Sequence, residues 1–310
     1  MMHPRWRWIG RAIFIVFLIA VALLLVRYAR SVNWRAVGQA IASYERGLFA
    51  SAIGLAALSY TLYAMQDVLA RIYTRHRVPK RRIMAIAIVS YAFNLNLGAL
   101  VGGAGFRYRL YSQSGLSPSQ IARVIGFAIA TNWSGYVLLA GIVFGTRAVT
   151  VPPQWAVGAW GMQIIGILLL VAASIYFIAC AVAHDRVWRV RGHEIRLPGV
   201  GLALLQVLVS CANWLVIAML MYLLLHRQIE FTTVLGVLQL GAIGGAITHI
   251  PAGLGVLEVV AVAMLGERMP EAEILAALLT YRAIYYIGPL LIALLMYLRF
   301  EAIAGARSEA

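Results

Sequence analysis

The chain has 310 residues, 63% of them hydrophobic and only 12% charged, and its formal net charge of +15 is nearly all arginine, Lys80 being the only lysine. That balance excludes a soluble enzyme, and arginines scattered among loops rather than gathered on a domain exclude a nucleic-acid binder; anionic lipid headgroups suffice as their partners. The two cysteines, Cys180 and Cys211, lie in apolar runs without metal-ligand or redox spacing and read as packing residues.

Apolar runs recur at 12–26, 48–65, 83–101, 121–144, 160–182, 200–225, 231–250, 254–265 and 274–298. Several exceed the ~20 residues that carry a helix across a ~30 Å hydrocarbon core. Their periods are helical, and no short alternating segments suggest a membrane barrel. The expectation is an all-α polytopic membrane protein.

The first run follows Arg5, Arg7 and Arg11, and Ala29-x-Ser31 resembles a cleavage site. The stretch is long for a signal and Arg27 precedes the cut, so it reads as a retained span anchored by Trp6 and Trp8. Residues 33–44 place Trp34, Val37, Ile41 and Tyr44 on one side, as an interfacial helix would.

Eight simple spans from an inside N-terminus place the four arginines of 184–198 outside, against the positive-inside rule. The stretch "LVGGAGFRYRLYSQSG" (100–115) offers the remedy: three glycines in four positions weaken the helix, and the element 104–112, roughly 13 Å long, is too short to cross alone. If 83–112 is a re-entrant hairpin, fifteen basic residues fall inside and seven outside, leaving aside Arg107, Arg109, Arg123 and Arg282. The basic loop 184–198 is then cytoplasmic, as are both termini.

Residues 231–266 repeat the pattern. Pro251 ends helical hydrogen bonding, and Gly253 and Gly255 loosen the turn, so a second hairpin enters from the opposite face. The architecture read from the chain is one integral membrane domain over 1–310, with six full spans and two re-entrant helical hairpins arranged as an inverted repeat. The units are 48–144 and 200–298, with 160–182 as connector. Gly103-Ala104-Gly105 corresponds to Gly253-Leu254-Gly255, and paired glycine-broken segments point to a transporter's midplane site. Gly115, then Ser117-Pro118-x-Gln120, predict a helix end and a capped helix start. The pairs Gly98/Gly102, Gly141/Gly145 and Gly241/Gly245 predict close helix packing.

Helix N-termini near Gly105 and Gly255 would aim unpaired N–H groups inward and attract an anion. Arg107 and Arg109 add fork-shaped donors for phosphate, and being two residues apart they face different ways, one to the cavity and one to the cytoplasmic interface. Snorkelling to the interface is the plainer alternative for both. Glu258 follows the second break on a first helical turn, where it complements the dipole, and Arg282 is its natural partner. Asp67 ends the second span, within reach of Arg71, Arg107 or Arg109. Asn94, Asn96, Asn132 and Asn213 are amides in apolar runs; some serve to bridge helices, and Asn94 and Asn132 are placed either to do so or to line a cavity. His249 reads as a polar packing residue. No metal-ligand spacing, nucleophilic triad or phosphate loop with a following lysine occurs, so neither an enzyme nor a bound cofactor or metal is expected.

"YAFNLNLGALVGGAGFRYRLYSQSGL" (91–116), "TNWSGY" (131–136) and "HIPAGLGVLE" (249–258) resemble the lysylphosphatidylglycerol synthase transmembrane-region family. That family includes the flippase half of the multiple peptide resistance factor proteins, which move aminoacylated phosphatidylglycerol outward. The resemblance implies a bacterial inner-membrane protein that translocates phospholipid, marked by Asp67, Asn94, Arg107, Arg109, Glu258 and Arg282. It carries no implication of aminoacyl transfer, because the cytoplasmic domain of the longer relatives lies outside these 310 residues. Two departures stand out: "LGALV" (97–101) lacks the proline common before the first glycine cluster, and the second motif reads Pro-Ala-Gly where Pro-Gly-Gly is common. The expected ligands are membrane phospholipids, anionic ones above all. An exporter of a small solute or polyprenyl-linked glycolipid, or a non-transporting partner of lipid-synthesis enzymes, are the alternatives.

Overall fold

The computed structural model describes residues 34–149, 151–152, 155, 157–183, 187–190, 193–248 and 250–308. The expected first span 12–26, its flanking Trp6 and Trp8, and His249 lie outside the described residues.

The helices run α1 (Trp34–Ala42), α2 (Arg46–Thr74), α3 (Lys80–Leu97), a π-helical segment (Ala99–Gly105), α4 (Phe106–Ser112), α5 (Pro118–Gly145) and α6 (Gly158–Val182). The second half contains α7 (Val200–Leu224), α8 (Phe231–Thr248), a 3-10 turn (Pro251–Gly253), α9 (Val256–Leu265), α10 (Glu271–Arg282), a π-helical segment (Ala283–Ile287) and α11 (Gly288–Ser308). Between the halves, β1 (Val187–Val190) pairs antiparallel with β2 (His193–Arg196). The all-helical architecture holds, and one connection adds a short hairpin to it. Part of the basic loop 184–198 is a short hairpin in which Val187 opposes Arg196 and Val190 opposes His193. Val187, Trp188, Val190 and Ile195 are branched or aromatic residues that suit a strand, and a connection between two helices is free to adopt one.

Among the described residues, six stretches are long and apolar enough to cross a membrane: Arg46–Thr74, Pro118–Gly145, Gly158–Val182, Val200–Leu224, Phe231–Thr248 and Glu271–Ile303. Five correspond to expected full spans. Phe231–Thr248 is the expected hairpin limb, and by length it qualifies as a span too.

Helix α2 outlasts its apolar run by nine residues. Tyr60, Tyr63, Asp67, Ala70 and Thr74 recur at helical spacing and all are buried, so the polar residues beyond Met65 continue the inward face. Ser117 starts α5 with both halves of the predicted capping box, and Gly115 takes a positive φ of 82°. In α6 the burial is confined to Met162, Gly166 and Cys180, while Ile164, Leu168, Ile175 and Ile178 are exposed, the pattern of a peripheral helix whose outer face meets lipid. Gly145 and Gly166 bring α5 and α6 into backbone contact, since a Cβ on Gly166 would stand 2.2 Å from the Gly145 nitrogen. Of the predicted interfacial face of α1, Ile41 packs on Leu275 and Ala276 and buried Tyr44 donates to the Leu224 carbonyl at 2.8 Å, whereas Trp34 is half exposed.

Contacts sort the helix ends into two groups. Tyr73 of α2 donates to the Arg196 carbonyl, Arg82 of α3 to the Gln113 carbonyl, and Arg109 of α4 pairs with Glu301 of α11. The ends joined in this way carry Arg71, Arg75, Arg77, Lys80, Arg81, Arg82, Arg123, Arg196 and Arg299. At the other end Tyr44 meets Leu224 and His226, and there the arginines alternate with Glu45, Glu230, Glu267, Glu271 and Glu273. The chain doubles back twice between these ends. Phe93 of α3 stacks on Phe106 of α4, and Gly241 and Gly244 of α8 meet Leu257 and Val256 of α9.

Candidate functional site

The two turn-backs are built differently. At the first, Gly98 takes φ 85° and ψ 169°, a conformation open essentially to glycine, and the π-helical segment starts directly after it. The expected break at Gly103 and Gly105 moves to Gly98 accordingly: Gly105 is helical, with φ −63° and ψ −50°. Gly102 and Gly103 serve instead as contact surface, because a Cβ on Gly102 would lie 2.1 Å from the Phe93 carbonyl oxygen and one on Gly103 2.8 Å from Asn94 Oδ1. Gly98 has open space around it, so of the predicted glycine pairs it alone acts through its dihedral rather than through packing. At the second turn-back, Pro251–Gly253 forms the 3-10 turn and Gly255, at φ 82°, starts α9, as expected from the sequence.

Both tips open on one cleft of about 280 Å³. Asn94, Leu95 and Gly98 come from the first tip, and Gly245, Ala252, Gly253 and Leu257 from the second; Tyr91, Trp214, Tyr281, Tyr285 and Tyr286 complete the wall. Trp214 lies near the middle of α7, which sets the cleft at mid-height. Glycine at 245 and 253 keeps the two limbs within reach, with Gly245 facing the Gly253 Cα.

Each turn-back is tied to a long helix by an arginine–carboxylate fork. Arg107 donates from Nε to Asp67 Oδ2 at 3.1 Å and from Nη2 to Oδ1 at 3.0 Å, and the Tyr111 hydroxyl donates to Oδ2 at 2.9 Å. Arg107 is 3% exposed and Asp67 not at all, with the guanidinium over the Tyr63 ring. Arg282 donates from Nε and Nη2 to Glu258 at 2.6 and 3.1 Å. It also donates from Nη1 to the Ala252 carbonyl at 3.1 Å and from Nη2 to the Gly253 carbonyl at 3.3 Å, satisfying acceptors freed by the break. The signs are reversed between the halves. The arginine sits on the returning limb in the first and the carboxylate in the second.

The expected site residues thus divide. Asn94 and Gly253 line the cleft, and Arg282 with Glu258 braces its second wall. Gly103 backs the Asn94 side chain. Pro251 forms part of the 3-10 turn, and Gly255 starts the helix behind it. Arg107 and Asp67 satisfy each other rather than facing open space. Arg109 is exposed and pairs with Glu301 through Nε and Nη2 at 2.7 and 2.6 Å, an ion pair that sequence spacing gave no reason to expect. Asn132 does not line the cleft; its carbonyl accepts from Ser210 and from Trp214 Nε1, where Gly135 lets α5 press on α7.

Sequence reasoning missed a buried tyrosine network. The Tyr285 hydroxyl lies 2.6 Å from that of Ser59 and 2.9 Å from that of Tyr91; Ser59 donates to Asn213 Oδ1, and Tyr60 to the Tyr285 carbonyl. Tyr63 stacks on Tyr91 at 3.6 Å, and Tyr281 on Tyr285 at 5.2 Å. The available signal was the spacing of Tyr281 and Tyr285 within an apolar run, where a buried hydroxyl requires a partner.

The sequence pattern described as "Lysylphosphatidylglycerol synthase TM region" matches residues 9–293. The chain belongs to this family. Within it, the chain is 45% identical to the inner membrane protein YbhN of Escherichia coli over 99% of its own length and 98% of that protein. It is 28% identical to a Synechocystis protein over 97% and 93% of the two chains. A phosphatidylglycerol lysyltransferase of Staphylococcus haemolyticus shares 25% identity over 94% of this chain, which spans only 34% of that longer protein. Family membership and the six long apolar helices together make this a multi-pass membrane protein.

Proposed function

We propose that the protein is a flippase-like phospholipid translocase of the bacterial inner membrane, which holds a lipid headgroup in the cleft between the two broken tips. The observation that carries this reading is the convergence of Gly98 and Gly253, from separate turn-backs, on one mid-height cleft. Broken helices at membrane depth persist where protein or an aqueous cavity covers their free backbone groups, and paired breaks are the usual substrate position in transporters. The helical segments that start at Ala99 and Val256 both begin beside this cleft, and helix starts favour anions. That preference, with the net charge of +15, favours an anionic phospholipid.

In this reading both turn-backs are re-entrant hairpins, entering from opposite faces and related as an inverted repeat. The reversed Arg–carboxylate forks support the pairing of the halves. The arginine-rich end faces the cytoplasm by the positive-inside rule, together with both termini. A cysteine in place of Arg191 that labels only from the periplasm would overturn that topology.

Reconstitution in liposomes tests the function. Leu257→Trp or Ala242→Trp, which fill the cleft, should abolish headgroup-dependent lipid movement at matched folded protein, and movement at the wild-type rate would refute the reading. Mass spectrometry of co-purified lipid separates the alternatives. Phospholipid at defined stoichiometry supports translocation, an isoprenoid phosphate points to glycolipid export, and lipid-free protein points to a non-transporting partner of lipid enzymes.

A further inference from the structure

A second concavity, of about 420 Å³, opens at the arginine-rich end, away from the cleft. It lies between the α2–α3 loop and the α4–α5 junction, the two connections that flank the first turn-back. Arg75, Arg77 and Arg82 line it with His76, Ser114 and Gln120, and no acidic side chain does. Among the described residues no carboxylate comes within ion-pair distance of these three arginines. Arg75 and Arg77 are exposed, and Arg82 spends one nitrogen, Nη2, on the Gln113 carbonyl while its buried Nε has no acceptor.

His76 supplies a second, independent sign. It is 6% exposed, and its Nδ1 accepts the Val78 N–H at 3.3 Å, which places the proton of the neutral ring on Nε2. Among the described residues, buried Nε2 has no hydrogen-bond partner. Burial, then the nearby Arg71, lower the affinity of this ring for a second proton, so at neutral pH it is an uncharged donor. The pocket is therefore lined by guanidinium groups without carboxylate partners and by His76, whose imidazole N–H is orphaned, and no acidic side chain competes there; the Ser114 hydroxyl is already spent on the Leu110 carbonyl at 2.8 Å. Buried donors without acceptors are costly unless something fills them, and a tetrahedral oxyanion fits this donor set.

We propose that this pocket binds a phosphate mono- or diester, on an inner-leaflet lipid headgroup or on a soluble compound, and thereby clamps together the two connections of the first turn-back. The site does not depend on the cleft, since none of its residues lines it, and only the assignment to the inner leaflet rests on the topology proposed above.

The test uses the purified full chain in a zwitterionic detergent and in phosphatidylcholine nanodiscs with or without phosphatidylglycerol. Inorganic phosphate, titrated against chloride at constant ionic strength, should raise the thermal midpoint saturably. The exposed pair Arg75→Gln/Arg77→Gln should weaken the apparent affinity roughly tenfold or more, as the loss of charge-assisted hydrogen bonds implies. The equal-charge control Arg35→Gln/Arg46→Gln, at the opposite end, should leave it unchanged. Saturable phosphate binding assigns the soluble source. Retention of phosphatidylglycerol in native mass spectra, lost in the Arg75/Arg77 variant without any phosphate effect, assigns the lipid source. Indifference of both readouts to the Arg75/Arg77 variant, or equal loss in the control, overturns the proposal.

Discussion

Arg107 closes Nε and Nη2 on the carboxylate of Asp67, forty positions earlier in the chain, and both side chains are buried. Removing either partner alone leaves a buried charge uncompensated, which costs about 3–5 kcal/mol. Asp67→Asn and Arg107→Gln should each lower the unfolding midpoint sharply, and Arg107→Lys should rescue poorly, because an ammonium lacks the planar fork. The double replacement Asp67→Leu/Arg107→Met should be milder than either single loss. Arg109→Gln, at an exposed ion pair, should leave the midpoint and lipid movement close to wild type.

Glu258→Gln should act on stability and function together. It strips the partner from Arg282, whose other contacts hold the carbonyls of Ala252 and Gly253 at the cleft wall. A loss of about 3 kcal/mol is expected, with lipid movement impaired even at temperatures where the protein stays folded. Unfolding curves beside liposome assays on the same preparation check this, and an active, stable variant would remove Glu258 from the bracing role.

Ala252 holds φ 56° and ψ 9°, a left-handed conformation that burdens any residue with a Cβ. Ala252→Gly, which restores the Pro-Gly-Gly form of the motif, should stabilise the protein by roughly 1 kcal/mol. A measured loss would mean that the turn relaxes away from this geometry.

Gly102→Ala would drive a Cβ to 2.1 Å from the Phe93 carbonyl oxygen, a backbone atom held in a helix. We expect a destabilisation of about 3 kcal/mol, the range of severe overpacking. Gly54→Ala, with open space around it in α2, should instead be neutral or slightly stabilising. Comparing the two midpoints separates contact from helix propensity.

His76 is held below its ordinary pKa of 6.5 by burial first and Arg71 second, with Asp67 opposing; Tyr111 packs against its ring. The unfolded chain therefore binds the proton before the folded one does. Its contribution to stability is complete above about pH 6.5 and declines as pH falls toward the folded value. In phosphate-free buffer the midpoint should drop below pH 6.5 in wild type, and His76→Gln should flatten that limb.

Much of the scaffold is legible in the sequence. Ser117, Pro118 and Gln120 announced a helix start because capping is local chemistry, and the apolar runs announced five of the six long helices because burying apolar length is a compositional demand. The Arg282–Glu258 partnership was also readable, since each was an isolated charge inside an apolar element. The first turn-back was less so. A cluster of three glycines pointed to Gly103 and Gly105, whereas the chain bends at Gly98, where a single dihedral decides. Glycine allows a break and equally allows close packing, and only the approach of Phe93 distinguishes the two uses.

By itself, the sequence determined that this chain resides in a membrane, that helices cross it, and that charge and glycine interrupt the apolar pattern at two related places. Those are properties of hydropathy and local backbone freedom, which act over a few turns. Tertiary structure decided that Asp67 meets Arg107 rather than Arg71 or Arg109, and it alone brought Glu301 to Arg109. It also decided that Ser59, Tyr91, Asn213 and Tyr285 share one buried network, and that Arg75, Arg77 and Arg82 meet none of the described carboxylates. These outcomes depend on helices far apart in sequence coming together, and a hydrogen bond of 3 Å is fixed by that packing rather than by any spacing along the chain.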